Sequence, residues 1–99
     1  MRKLVKTFKQ KGFNFTQVKR EGDFAIYKKT PLMSEYTSYE VIIISRHNGY
    51  ELGGQYIEPA ETYPSSSQWG IKGWTFTNIN HAEAKFLALK TAENTKKKK

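Results

Sequence analysis

The residues that most often perform catalysis are few and scattered in this chain of 99 residues. Neither His47 nor His81 has a second histidine four residues further on, so the spacing offers no metal-binding pair. A Ser-His-Asp or paired-carboxylate site would require Asp23, Glu58 or Glu61 to converge from separate loops. The phosphate-binding pattern G-x-x-x-x-G-K-[ST] is also missing. The sequence therefore predicts a non-enzymatic protein without metal or cofactor, and it makes no small-molecule substrate evident.

Basic residues are the strongest chemical signal, and they lie at the two ends of the chain. The formal net charge is +8, and residues 1–29 contain nine Lys and Arg but two acidic residues. A basic flank is typical of proteins that meet a polyanion such as nucleic acid. The predicted nucleic-acid-binding residues are Lys3, Lys6, Lys9, Lys11, Lys19, Arg20, Lys28 and Lys29. The alternative is a solvated lysine face that only keeps the protein in solution.

A second candidate site is the aromatic segment that follows residue 58. Tyr63 and Trp69 could form a partly exposed platform for a protein partner or for stacking bases. Alternatively, Trp69 folds over the edge of the core, while Gly70 and Gly73 permit positive φ or close packing. The second interpretation is favoured, but only narrowly, because the loop is long and rich in polar residues.

The composition excludes several classes of protein. There is no cysteine, which excludes a disulfide framework, a thiolate nucleophile and a cysteine-ligated zinc site. No apolar run approaches the roughly 20 residues of a membrane span, and the basic start lacks the apolar stretch of a signal peptide. We therefore expect a cytoplasmic protein that does not interact with membranes.

Apolar periodicity predicts the elements of the first half of the chain. Leu4, Val5 and Phe8, followed by Gly12, predict an N-terminal helix over about residues 2–11. The stretch "GFNFTQVKREGDFAIYKKT" predicts a β-hairpin that turns at Gly22. The stretch "YEVIIIS" predicts a strand whose middle is apolar on both faces, as in a strand covered from both sides.

The second half predicts short strands and a terminal helix. "QYIE" and "WTFT" are short strand candidates, and "NINHAEAKFLALKTAEN" predicts a helix capped by Asn80 with Glu83 in a capping box. The predicted fold class is a single α+β domain over residues 1–94. It comprises an antiparallel sheet of three to five strands, with an N-terminal and a C-terminal helix packed on it. Residues 95–99 form a disordered lysine tail.

The order of these segments resembles a group of small proteins of bacteriophages and mobile elements. The sharpest part of the resemblance is "YPSSSQWGIKGWTF", ahead of an Ala- and Phe-bearing helix, and the likeness spans nearly the whole chain. The group has no assigned biochemical activity, so the resemblance implies a phage-type context in the host cytoplasm and no catalytic residues. "WGIKGW" is also similar to the WGR domain of DNA-damage enzymes, but Ile71 stands where that motif has arginine.

The sequence supports two functions from different classes almost equally. The first is electrostatic nucleic-acid binding through the basic N-terminal face and the lysine tail. The second is a protein-interaction module, or an inhibitor of a host factor, that uses Tyr63 and Trp69. A virion-associated structural subunit is a third possibility. The first is preferred, because the charge asymmetry is a property of the sequence itself.

Overall fold

An antiparallel sheet organises the protein, whose computed structural model describes residues 2–97. Five strands make up this main sheet: β1 (Thr7–Gln10), β2 (Phe13–Glu21), β3 (Phe24–Pro31), β4 (Ser38–Ile43) and β9 (Gly73–Phe76). They pair in the order β1-β2-β3-β4-β9, and every neighbouring pair is antiparallel. β3 is therefore the central strand.

The remaining elements lie between β4 and β9 or follow β9. They are β5 (Ser45–His47), β6 (Tyr50–Leu52), β7 (Gln55–Ile57), β8 (Ala60–Thr62), a 3₁₀ helix (Ser66–Gln68) and the helix α1 (Ile79–Lys97). β5 pairs with β8 and β6 pairs with β7, each in a two-stranded antiparallel sheet. Residues 45–62 thus form one long, interrupted hairpin.

The main sheet buries both of its faces. On one face, Phe24, Ile26 and Val41 pack against Ala82 and Phe86 of α1. The opposite face carries a second cluster, made by Phe15, Ala25, Tyr27, Ile42 and Ile44 and covered in part by the N-terminal segment and the chain around residues 63–69. The two-faced burial of "YEVIIIS" is thereby confirmed.

The predicted hairpin and short strands are confirmed as well. Glu21 pairs with Phe24 across a two-residue turn in which Gly22 has a φ of 60°. A bulge between Gln17 and Lys19 interrupts the pairing of β2 with β3. "QYIE" and "WTFT" lie largely within β7 and β9.

The predicted fold class is wrong in its N-terminal helix. Residues 7–10 form β1, which turns through Lys11 (φ 52°) and Gly12 (φ 83°) into β2. Positive φ at both central residues is the signature of a type I′ hairpin turn. Phe8 stacks on Phe15 with their ring centroids 4.6 Å apart, which fixes β1 on the sheet. Within residues 2–97 the chain is mostly antiparallel sheet, with α1 as the single α-helix.

The C-terminal helix is present, but its first residue differs from the prediction. The side chain of Asn78, and not that of Asn80, caps α1: its Oδ1 accepts a hydrogen bond from the Asn80 backbone N–H at 2.7 Å. Glu83 instead pairs with Lys19 of β2, on the face of the sheet that α1 covers. α1 extends to Lys97, and the last two residues of the predicted disordered tail, 98 and 99, lie outside the described residues.

Candidate functional site

A cavity of about 480 Å³ opens on the sheet face opposite α1. Its volume lies within the range of roughly 300–1,000 Å³ typical of small-ligand sites. β2, β3, β4 and the segment before β9 all contribute to its walls. The residues on which its chemistry depends are Lys11, Phe13, Lys29, Glu40, Tyr63 and Trp69. Both sequence-predicted sites therefore contribute to one cavity.

Aromatic rings form the inner wall of this cavity. Tyr63 packs edge-on against Phe8, Phe15 and Tyr27, with ring centroids 5.2–5.8 Å apart. The Trp69 ring is nearly parallel to that of Tyr63, with ring centroids 6.4 Å apart and planes inclined by 23°. Such ring contacts stabilise the arrangement in addition to the stabilisation that comes from burying apolar area. Tyr63 is thus a fixed part of the core, and Trp69 is the outer ring.

A buried carboxylate lies at the polar centre of the cavity. Glu40 is 5% exposed and accepts a hydrogen bond from the Tyr63 hydroxyl at 2.6 Å. Lys29 Nζ lies 3.3 Å from the other carboxylate oxygen and 4.3 Å from the centre of the Phe13 ring. Burial, and then the negative charge of Glu40, raise the pKa of the Tyr63 hydroxyl. Tyr63 therefore stays protonated and acts as a hydrogen-bond donor.

The segment that carries Trp69 is held by local backbone geometry. The 3₁₀ helix begins after Ser65, whose backbone N–H donates to the Gln68 side chain at 3.1 Å. Trp69 Nε1 donates to Thr75 Oγ1 at 3.0 Å. Gly73 is buried under the indole, where a Cβ atom would lie 2.4 Å from the ring. The sequence-based interpretation of Trp69 as part of a packed corner is confirmed, yet the ring still lines the cavity.

The predicted basic residues divide between the two faces of the sheet. Lys11 and Lys29 line the cavity. Strand alternation directs Lys9 and Lys28 to the helix side, since their neighbours Phe8 and Tyr27 face the cavity. Lys3 and Lys6 are exposed on the segment before β1, and Lys19 pairs with Glu83 of α1. The eight residues therefore do not form one continuous patch.

Arg20, also predicted to contact nucleic acid, belongs to a buried ion network. Its guanidinium donates two hydrogen bonds, of 2.7 and 2.8 Å, to the carboxylate of Glu61. The Leu4 backbone N–H and Arg46 donate to the same carboxylate, at 2.9 and 3.1 Å. The side chain of Glu61 is 3% exposed. This network ties the N-terminal segment and β8 to β2.

The network makes stability depend on pH. The Arg20 hydrogen bonds, helped by the Leu4 N–H, lower the pKa of Glu61 from 4.5 to about 2. A carboxylate with a lowered folded-state pKa stabilises the fold above its unfolded pKa, and this contribution is lost as the pH falls through the folded value. We expect the urea midpoint to fall between pH 4.5 and pH 2. In Glu61→Gln the midpoint should be lower at pH 7 and should change less over that interval.

Sequence reasoning missed Glu40, which links the two predicted sites. One signal was available: Glu40 is the charged residue directly before the apolar run Val41–Ile44, at a position that must be buried. A charge is almost never fully buried unless it is paired. The position therefore required a pairing partner nearby, but the sequence does not say which residue supplies it.

Neither a metal-binding cluster nor a membrane-spanning helix occurs in the part of the chain that the structure describes. Among residues 2–97, no group of three or more His, Asp or Glu side chains is arranged to hold a metal ion. In that range no helix has both the length and the apolar character needed to cross a bilayer. No protein-family model, curated protein or solved structure matches this chain. The resemblance to phage proteins therefore stays a prediction.

Proposed function

We propose that this protein is a non-enzymatic binder of single-stranded nucleic acid, with one base entering the cavity beside Trp69. The observation that carries the proposal is the convergence of Lys11 and Lys29 with aromatic rings in one cavity. Base stacking on aromatic side chains and electrostatic contacts to phosphates are the two components of single-strand binding. A cytoplasmic, phage-type setting belongs to the same proposal.

The structure favours single strands over duplexes as the ligand. An aromatic-lined cavity can receive only a base that has left the stack, and bases in single strands are already accessible. Lys11 is exposed at the turn next to the cavity and can reach a phosphate that flanks the bound base. Glu40 holds the ammonium group of Lys29 inside the cavity, so we expect Lys29 to contact the base rather than a phosphate. The lysines of the C-terminal end add sequence-independent attraction.

Replacing Trp69 with alanine is expected to weaken single-strand binding about 5- to 160-fold, since stacking contributes roughly 1–3 kcal/mol per base. The measurement is fluorescence anisotropy with labelled single- and double-stranded DNA and RNA at 50–200 mM salt. The matched control is Ile71→Ala in the same loop, whose side chain is 71% exposed. We expect this control to retain the single-strand preference. A truncation lacking residues 96–99 should retain it as well, but its affinity should depend less on salt.

Three results would contradict this proposal. They are the absence of binding at 50 mM salt, complete loss of binding on removal of residues 96–99, and equal affinities of Trp69→Ala and Ile71→Ala. The first would favour the second candidate function, a protein-interaction module. The exposed Tyr50, Leu52 and Tyr56 support that alternative, because they are large apolar side chains on the one hairpin formed by β6 and β7.

A further inference from the structure

Glu40 gives the cavity an acceptor that stacking and phosphate binding do not require. A carboxylate has about four acceptor positions. The Tyr63 hydroxyl occupies one on Oε1, and Lys29 occupies one on Oε2. Each oxygen therefore keeps acceptor capacity, and Glu40 lines the cavity although it is 95% buried. In such a poorly solvated position a hydrogen bond to the carboxylate is stronger than in water.

Lys29 provides a donor directly beside these acceptors. Its ammonium group has three N–H donors, of which Glu40 takes one, and it lies over the Phe13 ring at the cavity wall. The cavity thus presents, side by side, one donor followed by two acceptor oxygens. This row is fixed in place because Tyr63, which holds the second oxygen, is itself locked in the aromatic cluster.

We propose that Glu40 and Lys29 make this cavity selective for guanine; this inference rests on the proposed function. The Watson–Crick edge of guanine carries an acceptor, O6, followed by two donors, N1–H and the N2 amino group. It is therefore the complement of Lys29 Nζ and the two Glu40 oxygens. The pair of hydrogen bonds to the carboxylate is charge-assisted and bidentate, the strongest class of such contacts.

The other bases fit this row less well. Adenine and cytosine present a ring-nitrogen acceptor where guanine has N1–H, so that nitrogen would face a buried carboxylate. Uracil and thymine have one ring N–H but no second donor next to it. A site built around buried polar groups discriminates strongly against ligands that leave those groups unpaired.

The test varies one base within an otherwise constant ligand. Labelled thymidine nonamers with guanine, hypoxanthine, adenine or cytosine at the centre are titrated by anisotropy into the full-length protein. Guanine should bind about 5- to 160-fold more tightly than adenine or cytosine, which is the discrimination against a wrong base that one bidentate contact provides. Hypoxanthine lacks the N2 amino group and should lie between them. These comparisons use the unmodified protein, so they do not depend on the folding of a variant.

The protein-side test replaces the acceptor oxygens. Glu40→Gln should reduce the guanine preference to less than about threefold, because an amide offers one acceptor oxygen and a donor group in place of two oxygens. Glu35→Gln, an exposed residue in the loop before β4, is the control and should keep the preference. If the nonamers bind with equal affinity, the guanine inference is overturned and the proposed function stands. If none of them binds, both are overturned.

Discussion

Arg20→Met is expected to lower the free energy of unfolding by about 3–5 kcal/mol, since it removes one partner of a buried ion pair. Methionine retains the length of the apolar stem, but the carboxylate of Glu61 then loses two hydrogen bonds in a position where its side chain is 3% exposed. The hydrogen bonds that the Leu4 N–H and Arg46 donate to Glu61 remain, so we expect a loss toward the lower end of that range. Urea denaturation followed by tryptophan fluorescence measures the loss.

The matched control for Arg20→Met is the same substitution at the preceding residue. Lys19→Met also removes an ion pair, but the side chains of Lys19 and Glu83 are 38% and 47% exposed. An exposed pair contributes about 0–1 kcal/mol, so this variant should be nearly as stable as the parent. Equal losses in the two variants would show that burial of Glu61 does not set the strength of the network.

The N-terminal segment shows why a periodic pattern alone did not determine the fold. Leu4 and Phe8 are four residues apart, a spacing that brings two side chains together on one face of a helix. Four is also an even number, and so it places them on one face of a strand. Phe8 stacks on Phe15 within the β1–β2 pair. A residue such as Lys11, with positive φ, gives no signal of its turn conformation in the sequence.

The longer strands were predictable because their apolar patterns fit the two-residue period of a strand and not the period of a helix. Phe13 and Phe15 alternate with polar residues, and Gly22 marks the turn of the β2–β3 hairpin. The run from Val41 to Ile44 is too short for a helix and apolar on both faces, which fits a strand covered on both sides. Local composition was sufficient here, because each residue's environment follows from its immediate neighbours.

The site was predictable in its parts but not in its assembly. Trp69 and Lys29 were both candidates, yet they were assigned to different functions. The pairing of β3 with β4 brings Lys29 to Glu40, and the path of the chain after β8 brings Tyr63 to the same carboxylate. Ion-pair partners distant in sequence cannot be identified from charge alone. For the same reason, the sequence could not show that Arg20, one of the predicted nucleic-acid-binding residues, is bound by Glu61.

Phe86→Ala is expected to cost about 3–5 kcal/mol, the usual penalty for truncating a buried aromatic side chain. Phe86 is 2% exposed and packs with Phe24, Ile26 and Val41, so its removal opens a cavity between α1 and the sheet. That is a large share of the roughly 5–15 kcal/mol that stabilises a typical domain. Thermal and urea unfolding followed by circular dichroism measure the change.

The control for Phe86→Ala is Leu87→Ala, one residue further along α1. Leu87 is 62% exposed, and exposed substitutions by a good helix former usually change stability by no more than about 0.5 kcal/mol. Because α1 and the cavity lie on opposite faces of the sheet, Phe86→Ala should still bind oligonucleotides at temperatures where it is folded. If Phe86→Ala is as stable as Leu87→Ala, α1 does not dock on the sheet through this ring. If folded Phe86→Ala loses binding, the nucleic acid contacts the helix face, where Lys9 and Lys28 lie, rather than the cavity.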